Sequence, residues 1–215
     1  TLCYLQDADY QEKWREDNVV KLERRIMPAV AGDLMQEEIA KLPQDQHLVD
    51  YKNFSVYCGY KKQLPHCVAE ITRLREVTFR KLNEGSGESC DTDGYDESYL
   101  QLFIFDHKEN EIIGAYRIGL TDQLQKNGDK SALYLSQMFN FHDGFINQKE
   151  PCMEMGRSFI VEKHQNSFYG LLLLWKGIGA FAARNPQYRT LYGTVSLSKL
   201  YDPRSVALMD IVMTE

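Results

Sequence analysis

Residues 152–198 read CMEMGRSFIV EKHQNSFYG LLLLWKGIGAFAAR NPQYRT LYGTVSLS, and this stretch decides the fold. Cys152 to Val161 has the composition of a strand, and Gln165 to Gly170 is a polar turn. Leu171, Leu174, Trp175, Ile178 and Phe181 then make the apolar stripe of a helix running to about Arg184, which Pro186 ends. Leu191 to Ser198 is the next strand. Strand, helix and strand in that order form a crossover, so the two strands should lie parallel and adjacent. The first strand carries Glu154-Met155-Gly156-Arg157-Ser158. Simple alternation would put Glu154 and Arg157 on opposite faces. A glycine inside a strand marks a bulge, and one extra residue at Gly156 would return both side chains to one face. It would also free main-chain groups for an extended ligand or a developing oxyanion.

Working backwards, Tyr99 to Phe105 alternates, with Leu100, Leu102 and Ile104 on one side and aromatics on the other. Ile112 to Ile118 follows a short polar turn and completes an antiparallel hairpin, with Arg117 on the face of Ile113 and Ala115. Thr121 to Phe145 is irregular, polar and punctuated by aromatics, the pattern of a long functional loop. Pro65 to about Leu82 is a helix in which Val68, Ile71, Arg75, Phe79 and Leu82 share a face. A guanidinium among apolar neighbours either meets a carboxylate or reaches water at the rim. The acidic segment Glu84 to Asp96 is a poor phosphate cradle and a poor calcium loop, so the default is a mobile surface loop. The alternative is that Asp93 or Asp96 turns inward to receive Arg75. A helix is expected from Asp33, as its cap, to Leu42, and a strand over Phe54 to Cys58. Residues 1–30 read as a charged helical arm or linker, and 31–215 as the main domain.

The 215 residues are 43% hydrophobic and 26% charged, as in globular domains, and carry a net charge of -6, which argues against nucleic acid as a partner. No apolar run is long enough to span a bilayer, and the start lacks a signal-peptide pattern. Five cysteines without a Cys-x-x-Cys fit a reducing, cytoplasmic setting, and His66-Cys67 alone does not make a metal site. No nucleophile motif surrounds the five histidines.

Leu74-Arg75-Glu76-Val77-Thr78-Phe79-Arg80, the aspartates up to Asp96, Gly114-Ala115-Tyr116-Arg117 and Glu154-Met155-Gly156-Arg157-Ser158 stand in this order. The order resembles one branch of the GNAT N-acyltransferases. That branch holds the ornithine and glycine lipid N-acyltransferases, some labelled haemolysin-like, and the acyl-homoserine-lactone synthases. The helix at Leu171 to Gly179 and the segment around Val195 to Ser198, Tyr201 and Ser205 are similar to the lipid-forming members. The resemblance spans about Asp33 to Ser205. It implies a GNAT-type α/β fold with a mixed central sheet, splayed parallel strands and flanking helices. It implies no permanent cofactor, a donor that is an acyl carrier protein or coenzyme A thioester, and a small amine acceptor. The pantetheine arm would lie between the strands around Glu154 and Thr194, with its phosphate near Gln165, Ser167, Tyr169 and Gly170. The segment Asn166-Ser167-Phe168-Tyr169 lacks the central glycine of the usual phosphate loop, which favours a carrier protein with its single phosphate. Glu154 is the expected general base. Arg157 and Arg117 either hold an acceptor carboxylate or structure the acidic cluster with Asp93 and Asp96. The competing reading pairs Glu154 with Arg75 or Arg117 as a buried scaffold. Such domains can follow a glycerolipid O-acyltransferase domain and can contact the inner face of the membrane peripherally. Two other classes, a non-catalytic acyl-binding module and a pore-forming toxin, differ in their assays: binding without thiol release for the first, vesicle leakage for the second.

Overall fold

In a computed structural model, described for residues 23–125, 130–141, 150–194 and 202–214, one sheet carries six strands in the spatial order of the chain. They are β1 (His47–Tyr51), β2 (Phe54–Gly59), β3 (Leu100–Asp106), β4 (Glu111–Leu120), β5 (Cys152–Ile160) and β6 (Thr190–Gly193). The first five pair antiparallel, and β5 pairs parallel with β6. The helices are α1 (Gly32–Ile39), α2 (Pro65–Lys81), α3 (Thr121–Leu124), α4 (Glu162–Gln165), α5 (Phe168–Arg184) and α6 (Pro203–Thr214). Residues Arg25–Thr194 form one compact unit that holds the whole sheet, and α6 lies outside it.

Alternation sorts the sheet into two faces. Val56, Cys58, Leu100, Leu102, Ile104, Ile118, Leu120 and Met153 point to one side, where Leu173, Leu174, Ile178 and Phe181 of α5 cover them. Tyr57, Phe103, Phe105, Ala115 and Phe159 point to the other, against Met35 and Ile39 of α1 and Val68 and Ile71 of α2. The crossover from β5 through α5 to β6 is present as expected. Close helix-to-sheet approach needs Gly177, where a Cβ would lie 2.5 Å from Val56.

Several boundaries differ from expectation. Strand β1 escaped the sequence pattern because it is a short edge with His47 and Asp50, and only Leu48 is buried. Asp33 is not the cap of α1; Ala31 takes that position and Asp33 stands in the first turn. Helix α2 stops one residue early, and Leu82 is exposed rather than on the buried face. Asn83 follows with φ 59°, the left-handed stop that asparagine tolerates. An irregularity in the β3–β4 register turns Ile113 away from the face shared by Ala115 and Arg117. The described part of the last strand ends at Gly193, and Val195 to Tyr201 of the expected segment lie outside the described residues, as does the arm up to residue 22.

Candidate active site

The site is built on the β5 bulge. Between the pairs Ala115↔Phe159 and Arg117↔Gly156, β5 contains one residue more than β4. The extra residue is Arg157, with φ 51°, and not Gly156. A left-handed arginine is a strained choice, and the surroundings must hold it there. The bulge has the expected consequence: Glu154, Gly156 and the Arg157 side chain all work on the α2 side of the sheet. A Cβ built on Gly156, two residues from Glu154, would meet no atom within 4 Å. Among the described residues the β5–β6 pairing covers only Cys152–Met155 against Thr190–Gly193, and it stops where the bulge begins.

Three guanidinium groups converge on three aspartates. Arg75, fully buried, lies with Nε 2.7 Å from Asp91 and NH2 2.9 Å from Asp96, and also donates to the Asp91 carbonyl. Arg117 donates to Asp93 at 2.6 Å and to Asp96 at 3.2 Å. Arg157 lies 3.3 Å from Asp91 and 3.8 Å from Asp93. Burial alone would raise the Asp96 carboxyl, yet the guanidinium groups of Arg75 and Arg117 hold it below the usual carboxylate range. The same aspartates keep Arg117 firmly charged despite its burial.

This is a fixed structure, not the mobile loop that the acidic segment suggested. Glu76 of α2 is buried and accepts from Ser86 N, Ser86 Oγ and Gly87 N at 2.7–2.9 Å, which pins the start of the segment. Asp91 N donates to Thr72 O at 3.0 Å. A one-turn 3₁₀ helix, Gly94–Glu97, then closes with a reciprocal cap in which Tyr95 N reaches Asp93 and Asp93 N reaches Asp96. The inward partner of Arg75 includes Asp91, which the sequence does not distinguish from its acidic neighbours, as well as Asp96.

Glu154 stands apart from these pairs. It is 2% exposed, and no guanidinium forms an ion pair with it among the described residues. Its Oε2 accepts from Tyr99 Oη at 2.7 Å and its Oε1 from Leu135 N at 2.8 Å. Tyr134 N donates in turn to Tyr99 Oη at 2.9 Å. Burial pushes the Glu154 carboxyl above its ordinary value, outweighing the hydrogen bonds and the more distant Arg117 charge that favour ionisation. Burial likewise pushes the Tyr99 phenol up, so it stays a neutral donor. Tyr95, Tyr99 and Tyr134 form an edge-to-face cluster under the Arg117 guanidinium, which lies 5.0 Å from the Tyr134 ring and 5.3 Å from the Tyr99 ring. On β6, Tyr192 is opposite Glu154, and burial together with the Glu154 charge raises its phenol too.

Sequence reasoning missed Tyr99, Tyr134, the Leu135 amide and Gly119. The irregular segment after Thr121 delivers Tyr134 and Leu135, as a long functional loop would, but a main-chain donor leaves no mark in a sequence. Gly119 pairs with Glu154, and a Cβ there would sit 2.4 Å from the Tyr99 ring. A ring edge wedged between strands cannot retreat as a flexible chain end can. Gly119→Ala is therefore expected to push Tyr99 off Glu154, to cost about 1–3 kcal/mol of stability as overpacking does, and to lower turnover. Thermal melts and a thiol-release assay of the variant check both effects.

The residues expected at a donor phosphate lie at the start of α5, on the connection beyond the far end of β5. From Glu154 to Ile160 is six residues, about 20 Å of strand. Gln165 Nε2 donates to Ile160 O at 2.8 Å, and Ser167 caps α5 by accepting from Tyr169 N at 3.3 Å. Gly170 is buried against Ile160. Tyr169 packs on Tyr51, 5.3 Å between rings, under Lys52. The helix start leaves backbone N–H groups and a positive dipole end, which suit an anion. The inserted turn α4 and the Ser167 cap replace an open glycine loop.

Comparison with known proteins bears on this arrangement. Residues 74–176, from the Arg75 helix to the middle of α5, match the acetyltransferase (GNAT) domain. The chain is 32% identical over 192 residues to a glycine N(alpha)-acyltransferase of Bacteroides thetaiotaomicron, covering 83% of this chain and 56% of that protein. A glycine N(alpha)-acyltransferase of Phocaeicola vulgatus is 31% identical over 175 residues, covering 75% of this chain and 54% of that one. The chain thus spans about half the length of these relatives. Among solved structures, an aminoglycoside acetyltransferase from an uncultured soil metagenomic sample has a TM-score of 0.44 at 12% identity, over 75% of this chain and 91% of its own.

Proposed function

We propose that the chain carries a GNAT-type acyltransferase domain on its mixed α/β sheet, and that it moves a fatty acyl group from a carrier-protein or coenzyme A thioester to the amine of glycine or a similar amino acid or aminolipid. Membership of the lipid-forming branch is part of the same reading. The observation that carries it is the isolation of Glu154. Three arginines are matched by three aspartates, and the buried Glu154 carboxyl beside them is held by no guanidinium among the described residues and is raised by burial, two residues from Gly156 at the bulge. A carboxylate spent on scaffolding would be ion-paired and lowered, as Asp96 is.

In this reading the donor's arm extends along β5 from the α5 start, and its thioester carbonyl reaches the end of the β5–β6 pairing. Glu154 takes a proton from the acceptor ammonium, directly or through one water. The free amine attacks the carbonyl carbon, a C–N bond forms, and the C–S bond breaks. The nitrogen gives up its second proton as the intermediate collapses, and the departing thiolate takes one up from the Tyr192 phenol, which regains the nitrogen's proton through water. Amide and thiol are the products, and no acyl-enzyme forms. Arg157, the most exposed of the three arginines with 24% of its side chain in solvent, is suited to an acceptor carboxylate. Arg75 and Arg117 are 0% and 2% exposed and act by holding the aspartates.

A base that must be ionised gives a rate that rises with pH. Because burial raises the Glu154 carboxyl, the acid limb of kcat/KM is expected above the ordinary glutamate value of 4.5, and it should vanish in Glu154→Gln. A pH profile of both proteins measures this. For the function itself, the intact protein is mixed with a long-chain acyl thioester and glycine, and thiol and product are followed together. One N-acyl amide per thiol released supports the reading. Thermal stabilisation by the thioester with no thiol released would replace it with a non-catalytic acyl-binding role. Mass spectrometry of lipids from cells expressing the intact protein would then identify the acceptor.

A further inference from the structure

Helix α5, FYGLLLLWKGIGAFAAR, is apolar on every side. Gly170, Leu173, Leu174, Gly177, Ile178 and Phe181 form the side packed on the sheet. The outer side should then be polar, as on any helix lying over a core. It instead presents Phe168, Leu171 and Trp175, which are 77%, 57% and 55% exposed. Their spacing of three and four residues makes one stripe. Single exposed apolar residues need no explanation, but a continuous stripe of large ones marks a binding surface.

The charges around the stripe narrow the choice of partner. The helix contains no carboxylate, and its only charge before Arg184 is Lys176. Lys52, from the β1–β2 turn, stands over the Tyr169 ring at 4.8 Å and over Tyr51 at 5.2 Å, and Lys176 lies 5.9 Å from the Tyr51 ring. On a chain of net charge -6, these two lysines give the stripe a positive flank. Aromatic and leucine side chains on a convex helix surface, flanked by lysines whose ammonium groups stand over aromatic rings, match a bilayer interface. A protein partner would have to offer a groove to a convex helix; lipid headgroups simply part around it.

We propose that the outer face of α5 seats this domain on an anionic lipid bilayer. Phe168, Leu171 and Trp175 enter the boundary between headgroups and acyl chains, and Lys52 and Lys176 meet the lipid anions. The Glu154 cluster lies on the opposite face of the sheet, so docking leaves it open to soluble partners. No membrane-spanning helix exists among the described residues, and none is needed. Docking is independent of the acyl-transfer reading, because vesicle binding is measured without donor or acceptor.

The test uses the full chain with Trp14→Phe, so that Trp175 is the sole indole. Co-sedimentation with phosphatidylcholine vesicles containing phosphatidylglycerol is expected, and little with phosphatidylcholine alone. Trp175 emission should shift to the blue and be quenched by brominated acyl chains. In the otherwise native chain, Leu171→Ser with Trp175→Ser should lower partitioning about tenfold or more from the lost apolar insertion, with an unchanged melting temperature because both side chains are exposed. Lys52→Glu with Lys176→Glu should remove the preference for anionic vesicles. Failure of the folded wild type to bind anionic vesicles overturns the proposal, as does undiminished binding by the double serine variant. A wild-type dimer that the double serine variant dissolves also overturns it, assigning the face to a second copy.

Discussion

Glu154→Gln is expected to lower kcat about 10²- to 10⁴-fold, the usual worth of a positioned general base, while the protein stays folded. The sign of the stability effect separates a base from a scaffold. A glutamate whose carboxyl is raised in the folded state binds its proton more readily there than in the unfolded chain. Stability therefore falls as pH rises from 4.5 through the folded value, and the ionised group is a cost at neutral pH. The glutamine keeps the shape, accepts from Leu135 N, and removes the buried charge. Its melting temperature at neutral pH should be no lower than the wild type's. A glutamate in a structural ion pair would behave oppositely, with a large loss of stability and turnover lost only through unfolding. Parallel melts and single-turnover assays read both quantities, and full activity of the variant removes Glu154 from the chemistry.

The second large effect is expected at Asp96. It accepts from Arg75 at 2.9 and 3.2 Å, from Arg117 at 3.2 Å, from Gln101 Nε2 at 3.2 Å and from the Asp93 amide at 3.1 Å, and it is fully buried. Asp96→Ala removes the carboxylate shared by two buried guanidinium groups and leaves Arg75 with Asp91 and Arg117 with Asp93 alone. Breaking a buried pair in this way costs about 3–5 kcal/mol, or roughly 10 °C in melting temperature for a unit of this size. Turnover of the folded fraction should drop as well, because Arg157 loses the aspartates' fixed positions. The pH dependence follows from the lowered carboxyl. Its stabilisation is complete above the ordinary value of 3.8 and is lost as pH falls below it through the folded value. Asp96→Asn should flatten that acid limb, with a smaller loss at neutral pH than alanine. A melt of Asp96→Ala within about 2 °C of wild type, less than 1 kcal/mol on the same scale, would mean the cluster is not what holds this side of the sheet.

The fold was legible wherever burial imposes a period. The apolar stripe of α5 and the two flanking strands gave the crossover, and the alternation at Leu100, Leu102 and Ile104 gave the sheet's two faces. Where burial is slight, as in β1, the pattern vanished. Glycine marked the right strand for the bulge but the wrong residue. The left-handed conformation passed to Arg157, whose side chain contacts with Asp91, Asp93 and Tyr134 lie far away in sequence and hold it there. The arginines were conspicuous because guanidinium groups on apolar faces demand partners. Asp91 looked no different from its acidic neighbours, and only the anchoring of the segment by Glu76 and Thr72 selects it. That Glu154 forms no ion pair with a guanidinium among the described residues is likewise invisible in one dimension, since it follows from how three aspartates divide three arginines among themselves.

The most direct test is the structure of the intact protein with a long-chain acyl-pantetheine analogue in which a methylene spacer blocks transfer. The arm should lie along β5 beyond Met155, with its phosphate at the start of α5. The acyl carbonyl should reach the freed main chain at the bulge, and Glu154 should be within one water of the position an amine would take. An arm bound away from β5, with main-chain pairing continuing past Met155 and Glu154 sealed from the ligand, would contradict the account.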